Sequence, residues 1–250
     1  MTRRHRDLTR LMGSMTVALA AVLGGVGCSP AWMTRASDLS RTDLAGAYAL
    51  AAEAQERETS PQNYMAALVA GTYAVRMGRA DLARQHLTIA TTDVGSNPAW
   101  LRVQAWRMLA YASIQDHIRT NLLGWSGQGA VSVESIDWPT FFRSFIRSLD
   151  AFEASCDIAI QCADQVIAIS VKDGDIAAAA QDRLLRSGIT RLKDNVESAK
   201  DLIAIAKANS DRILDDEATD SLLRTALEAR IVSIFDAWSA LCVDCDQSVD

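Results

Sequence analysis

The amino-acid sequence predicts an all-α protein, in which an array of helical hairpins precedes a three-helix antiparallel bundle. Two observations carry this prediction. Apolar residues recur every three or four positions over long stretches, and no stretch has the alternation of apolar and polar residues that is typical of a strand. The chain has 250 residues, of which 49% are apolar and only 4 are prolines, a composition that can build a sizeable helical core.

The N-terminal segment has the order of an export signal. Four arginines lie between Arg3 and Arg10, and an apolar run from Met15 to Val26 follows them. A bilayer-spanning helix takes roughly 20 residues, so this run is too short to cross a membrane. A basic segment, an apolar segment and small residues in this order are typical of a secretory signal.

Val26-Gly27-Cys28, at the end of the apolar run, resembles the lipobox of bacterial lipoproteins. The resemblance implies that residues 1–27 are a signal peptide and that Cys28 becomes the lipidated first residue of the mature chain. Ser29 is not an aspartate, which by the same resemblance favours the outer membrane. An ordinary cleaved signal and an uncleaved anchor are the alternatives. Residues 28–37 are predicted to be a short tether.

The charge of the chain disfavours nucleic acid as a partner. The formal net charge is −6, and removal of residues 1–27, which hold four arginines and Asp7, would leave about −9. An acidic domain is repelled by phosphate backbones and by anionic lipid surfaces.

The first predicted helix ends near Glu58 and starts after Asp38 or Ser40, because a short polar side chain can accept hydrogen bonds from the free amides at a helix start. Its apolar stripe consists of Leu39, Leu44, Ala47, Tyr48, Ala51 and Ala54. Ser60-Pro61 is predicted to start the next helix, with proline in the first turn.

Residues 67–98 resemble a tetratricopeptide repeat (TPR). Gly71 fits the small position at which paired helices approach closely, and Gly78 fits the turn between them. Ala83, Leu87 and Ala90 fit the second helix. The resemblance implies a TPR-like region over residues 38–123, with a further helix from Trp100 to Arg119. An ordinary helical hairpin with glycine at its turn is the alternative, because one repeat cannot bury its own face.

Residues 124–137, GWSGQGAVSVESID, are predicted to be a loop between two regions, because three glycines and several serines lack a helical period. Gly124-Trp-Ser126-Gly-Gln128 is not a nucleophile elbow, since Gln128 stands in the final glycine position and no strand precedes it. A phosphate-binding loop would need a lysine and a serine or threonine, which do not follow.

Residues 138–241 are predicted to form the helical bundle, and residues 242–250 a tail. Three apolar seams, each sustained over several heptads, predict three helices with short turns. The seams are Phe141, Phe145, Leu149, Phe152, Cys156, Ala159, Ala163 and Val166; Leu185, Ile189, Leu192, Val196, Ala199, Ile203 and Ala206; and Leu223, Leu227, Ile231, Ile234, Trp238 and Leu241. The breaks between them are predicted at residues 172–175 and at residues 209–211.

Four of the 5 cysteines would remain beside Cys28 in a mature chain. An even number in an exported protein indicates disulfides. The predicted pairs are Cys156–Cys242 and Cys162–Cys245, because the first and third helices of the bundle run parallel. The swapped pairs come next, and the local pairs come last. Metal binding, free thiols or a redox dithiol at Cys242 and Cys245 are the alternatives.

No other constellation indicates catalysis. His86 and His117 lack the spacing of a metal site and are predicted to be solvated or capping residues. Asp215, Asp216 and Glu217 fit the start of a helix, where negative charge is favourable. No cofactor is predicted.

The sequence therefore favours a non-catalytic envelope lipoprotein. It would be held in the membrane by its N-terminal lipid and would serve as a helical scaffold for an envelope protein partner. A ligand-binding or transport accessory lipoprotein with an apolar cavity between its helices is the first alternative. A metal or redox protein that uses Cys242 and Cys245 is the second.

Overall fold

The computed structural model of the protein describes residues 30–118 and 138–213, together with residues 225–226, 229–230 and 233. These residues form α-helices without any strand, which confirms the all-α class for this part of the chain. The helices are α1 (Ala31–Leu39), α2 (Leu44–Arg57), α3 (Gln62–Arg76), α4 (Ala80–Ala90), α5 (Ala99–Ile118), α6 (Trp138–Lys172) and α7 (Ile176–Ile213).

Helix α1 occupies most of the segment that the sequence predicted to be a tether. It buries Trp32, Met33 and Ala36 in one cluster with the alanines of α2 and with one face of α3. Burial of a tryptophan and a methionine removes a large apolar area from water, and this favours a packed helix over an extended tether. The prediction of a tether over residues 28–37 is therefore wrong from residue 31 onward.

Helix α2 starts at a different cap from the predicted one. The Asp43 carboxylate accepts a hydrogen bond from the backbone amide of Gly46 over 2.8 Å, and this is the capping interaction that was expected of Asp38 or Ser40. Ser40 instead follows the last turn of α1, where its hydroxyl donates to the carbonyl of Ser37.

Helices α3 and α4 form a hairpin at very close approach. A Cβ atom placed on Gly71 would lie 2.6 Å from Cγ and 2.7 Å from Cδ2 of Leu87, so any larger residue at this contact would force Leu87 to shift. Gly78, in the turn between the helices, has a φ angle of +70°, a conformation that glycine adopts without cost. Both glycines therefore have the local roles that the sequence assigned to them.

Helix α5 follows α4 after a short connection. The Asn97 side-chain amide donates to the carbonyls of Ala90 and Thr92 and so satisfies backbone groups at the end of α4. Helix α5 packs against both α3 and α4, and its residues Met108–Ile114 are all buried. Its bounds agree with the predicted helix at residues 100–119.

Helices α6 and α7 form a long antiparallel hairpin. The turn contains Gly174 with a φ angle of +76°, as the break at residues 172–175 predicted. Both predicted seams are buried wherever their side chains are described, from Leu149 to Val166 in α6 and from Ile189 to Ala199 in α7, with Leu185 partly buried. The seam of residues 223–241 lies outside the described part of the chain.

The predicted break at residues 209–211 is wrong, because α7 continues through them to Ile213. Asparagine and serine have only slightly lower helix propensity than alanine, and neither glycine nor proline is present there. Their polarity alone does not end the helix.

The larger hydrophobic core runs from α3, α4 and α5 into α6 and α7 without interruption. The two regions that the sequence divided at residues 124–137 therefore share one core. A smaller cluster joins α1 and α2 to the opposite face of α3.

The segment Leu149–Lys172 of α6 is long and apolar enough to cross a membrane by length and composition. Core helices of soluble proteins pass the same test. Here the apolar seam of the segment packs against its neighbours, and acidic side chains on its flank are paired with α7.

Candidate functional site

The first polar cluster is a buried ion pair between α5 and α7, to which a serine of α6 adds a hydrogen bond. The Arg107 guanidinium donates a hydrogen bond from Nε to Oδ1 of Asp182 over 2.8 Å, and its Nη2 lies 2.6 Å from the same oxygen. Ser170 Oγ donates to Oδ2 of the same carboxylate over 3.1 Å. Asp182 is only 1% exposed. Both of its oxygens therefore have partners, as a buried carboxylate requires.

The contacts of Asp182 also connect α5 to the α6–α7 hairpin. Arg107 belongs to α5, and Ser170 and Asp182 belong to the α6–α7 hairpin. A buried ion pair adds little net stability, but loss of one partner leaves an uncompensated charge. The cluster therefore favours one mutual register of α5 and the hairpin.

The second polar cluster connects α2 to α4. His86 Nδ1 lies 2.6 Å from Oε1 of Gln55, and His86 Nε2 lies 3.0 Å from the Tyr48 hydroxyl. An amide oxygen only accepts hydrogen bonds, so Nδ1 carries the proton and Nε2 accepts from Tyr48. The Tyr48 ring also meets the imidazole edge-on, with centroids 5.5 Å apart.

The environment of His86 favours its neutral form. Burial lowers the pKa of the imidazole, and the nearby charge of Glu56 opposes this only in part. The prediction of a solvated or capping His86 is therefore wrong, because both ring nitrogens bond to side chains of a neighbouring helix. The side chain of His117 lies outside the described residues.

Cys156 and Cys162 are both buried in α6. They face different directions around the helix, and both can be buried because α6 packs between α5 and α7. Burial raises the pKa of each thiol to about 12, so neither forms a reactive thiolate near neutral pH. They are not bonded to each other. No disulfide joins cysteines within the described part of the chain.

The other predicted site residues lie outside the described residues. They are Cys28, Cys242 and Cys245, the loop at residues 124–137, and Asp215, Asp216 and Glu217. The pairings Cys156–Cys242 and Cys162–Cys245, lipidation of Cys28, and metal or redox use of Cys242 and Cys245 therefore stay predictions.

Within the ranges that the structure describes, no three histidine, cysteine or acidic side chains are grouped closely enough to hold a metal ion. The two polar clusters instead consist of groups that satisfy one another across helix contacts. Neither cluster holds a nucleophile beside a free base.

The sequence contained a signal for the buried ion pair that the seam assignment did not use. Ser170 follows Val166 by four positions, and Asp182 precedes Leu185 by three, so both stand where the two apolar seams continue. Polar residues at two seam positions that face each other across a hairpin indicate a buried polar contact. Arg107 carried no such signal, because its partner is 75 residues away.

The described part of the chain is thus a helical protein whose buried polar groups serve helix packing. Comparison of the chain with protein-family models, curated proteins and solved structures gave no match.

Proposed function

We propose that this chain is a non-catalytic lipoprotein of the bacterial envelope. Acylation of Cys28 anchors it, most simply in the outer membrane facing the periplasm. Its TPR-like hairpin array and helical bundle present a surface to another envelope protein.

The start of the folded region is the observation that carries this proposal. Helix α1 begins at Ala31, and Trp32, only 5% exposed, already belongs to the core. Cys28 lies three residues before this helix. A mature chain that begins at Cys28 would therefore keep every residue of the described core.

The packing of α2 to α5 supports the TPR-like part of the proposal. Gly71 and Leu87 meet at the close approach of α3 and α4, and Gly78 turns the chain between them. Helix α3 also contacts α2 before it and α5 after it. Contact between the first helices of successive hairpins is how helical repeats stack into an array.

The bundle part of the proposal extends the α6–α7 hairpin by a third helix. Residues 223–241 have an apolar seam of the same period as the two that are buried in α6 and α7. A helix with such a seam needs an apolar partner in water, and the hairpin is the nearest one along the chain.

The chemistry of the buried polar groups supports a non-catalytic role. Both oxygens of Asp182 and both ring nitrogens of His86 are occupied by protein partners. General acids, bases and nucleophiles need an accessible site with a shifted pKa near the working pH. Asp182 and the buried thiols of α6 lack that access, and both ring nitrogens of the half-buried His86 already have partners.

Metabolic labelling with an alkyne-bearing fatty acid tests the anchor. We expect the wild-type chain to incorporate label and Cys28→Ala to incorporate none. Cys245→Ala is the matched control, because it removes a cysteine that the lipobox resemblance does not include. Equal absence of label from wild type and Cys28→Ala would refute lipidation.

Crosslinking in intact envelopes tests the scaffold. We expect one defined protein to be captured by the wild-type chain and to be lost with Gly71→Val, which disrupts the hairpin array. Capture of no protein, with the chain folded and anchored, would contradict the proposed role.

A further inference from the structure

The described helices place the start of α1 at one end of the array. The Arg76 guanidinium donates to the carbonyl of Ser40 over 3.4 Å, so α1 and α3 end side by side. Helix α1 has 9 residues and α3 has 15. At about 1.5 Å per residue, α1 therefore starts about 9 Å short of the start of α3.

Two connections lie at this same end. Residues 58–61 precede α3, and residues 91–98 precede α5. The hydroxyls of Ser60 and Ser96 form a hydrogen bond that joins the two connections. We call the end formed by the start of α1 and these two connections the anchor end.

The turn of the α6–α7 hairpin also reaches the anchor end. Asp182 is level with Arg107 of α5 through their ion pair. Residues 108–114, on the C-terminal side of Arg107, are buried on every face of the helix, whereas Arg102, Gln104 and Trp106 on the N-terminal side are only partly buried. This difference indicates that the body of the hairpin runs along the C-terminal half of α5. The turn therefore points toward the start of α5. Ile176 lies six residues before Asp182, about 9 Å along the axis, which brings it level with Leu101.

Exposed large apolar side chains gather at this end. Trp100 starts α5, Ile89 lies in the last turn of α4, and Val171 and Ile176 flank the hairpin turn. Ile176 is 68% exposed. Among the side chains that the structure describes, the other exposed large apolar residues are Ile158, Leu184 and Ile205, which lie further from the turn along the body of the hairpin.

The segment between Cys28 and the start of α1 is short. Cys28 precedes Ala31 by three positions, and extended chain advances about 3.3 Å per residue, so the reach is about 10 Å. A chain of that length can extend no further than about the level of the start of α3. A lipid on Cys28 therefore holds the anchor end against the bilayer surface.

We infer that the anchor end is a membrane-contact surface, on which Trp100, Val171 and Ile176 rest in the lipid interface beside the acyl anchor. This inference rests on the lipidation of Cys28 proposed above. Tryptophan favours the headgroup region of a bilayer, and exposed aliphatic side chains gain from leaving water. The occupant is the lipid surface that holds the anchor.

The charges at the anchor end favour neutral lipid headgroups. Asp173 and Asp175 flank the hairpin turn and are exposed, next to Lys172, and Asp93 is paired with Arg102. This end is not a basic patch, so attraction to anionic lipid is not the basis of the contact. The charged side chains of Asp173 and Asp175 limit how deeply the hairpin turn enters the lipid.

Lipid photocrosslinking tests the inference with the full mature chain. The purified anchored protein is placed in phosphatidylcholine vesicles that contain a diazirine-bearing phosphatidylcholine. Labelled peptides are then identified by mass spectrometry. We expect peptides with Trp100 and with residues 171–176 to carry at least five times the label of peptides with Ile158 or Leu184.

A matched pair of variants separates contact from folding. Ile176→Asp and Leu184→Asp each place a carboxylate at an equally exposed position, since Leu184 is 67% exposed. We expect Ile176→Asp to lower the labelling of the unaltered Trp100 peptide several-fold and Leu184→Asp to leave it unchanged. Circular dichroism of both variants verifies the fold.

The outcomes separate this inference from the proposed function. If Cys28 carries a fatty acid and the label is spread evenly over exposed peptides, the membrane-contact surface is refuted and the lipoprotein proposal stands. Equal effects of the two substitutions likewise refute it. If Cys28 carries no fatty acid, the proposed anchor is refuted, and this inference is refuted with it.

Discussion

Helix α3 and the α6–α7 hairpin contact their neighbours with different kinds of side chain. Helix α3 presents Ala66, Ala67, Ala70, Gly71 and Ala74, all of which are buried. The α6–α7 hairpin instead buries large residues along its seams, such as Leu149, Phe152, Ile189 and Leu192. Helix α3 therefore approaches its neighbours closely along its small residues, whereas the seams of α6 and α7 depend on the area of their large apolar side chains.

The α6–α7 hairpin also has a ladder of ion pairs, and no such ladder joins helices α1 to α5 among the residues that the structure describes. Acidic residues of α6 meet basic residues of α7 at three levels. The pairs are Asp164–Arg186, Asp157–Lys193 and Glu153–Lys200. Exposed pairs contribute little stability each, but their order along both helices favours a single register.

The largest expected effect is that of a charge in the seam. Leu192 is fully buried, so Leu192→Asp places an unpaired carboxylate in the core at a cost of several kcal/mol. That is comparable to the total stability of a small domain, roughly 5–15 kcal/mol. We expect loss of the cooperative thermal transition. Leu184→Asp, at an exposed position, should melt within a few degrees of wild type, and an unchanged melt of Leu192→Asp would contradict the seam.

The next effect tests the contact between the two regions. Arg107→Met leaves Asp182 as a buried charge without its ion pair, and we expect a loss of about 3–5 kcal/mol in the free energy of unfolding. Combination with Asp182→Leu removes the charge and should recover most of that loss. Chemical denaturation of the single and double variants measures this. A double variant that is no more stable than Arg107→Met would show that the two side chains are not coupled.

The close approach of α3 and α4 predicts a smaller effect. Gly71→Ala forces a Cβ into the side chain of Leu87 and should cost about 1–3 kcal/mol through overpacking. Gly95→Ala is the matched control, because a Cβ at Gly95 meets no atom within 4 Å and should change stability little. Equal melting temperatures of the two variants would argue against the close contact.

The turn between α3 and α4 predicts an effect of about 1–2 kcal/mol. Gly78→Val places a β-branched residue at a φ angle of +70°, which such residues strongly disfavour. Gly78→Asn should cost clearly less, because asparagine tolerates this conformation. If both substitutions cost the same in thermal denaturation, the effect does not come from the backbone conformation.

The smallest effect is a pH dependence from His86. Its pKa is lower in the folded chain than in the unfolded chain, so the unfolded state binds the proton more readily. The contribution of His86 to stability is therefore present above about pH 6.5 and declines as the pH falls toward the folded pKa. We expect His86→Gln to flatten the dependence of melting temperature on pH between about 7 and 5. An unchanged slope would rule out His86 as its source.

The predictions from sequence succeeded where a local pattern sets the structure. The seams of α6 and α7, the turn at Gly174 and the turn at Gly78 follow from periodicity and from the conformational freedom of glycine. The prediction at residues 31–37 failed because the burial of Trp32 depends on α2 and α3, which no local pattern reports. The break at residues 209–211 failed because polar residues were treated as helix breakers.

The sequence by itself determined the helical class and the positions of the seams of α6 and α7, because each depends on neighbours within a few turns of chain. Only the tertiary structure decided which distant side chains meet. The contacts of Arg107 with Asp182 and of His86 with Tyr48 are set by how whole helices stack. Helix stacking sums many weak contacts between residues far apart in sequence, so the pattern within one helix does not identify its partners.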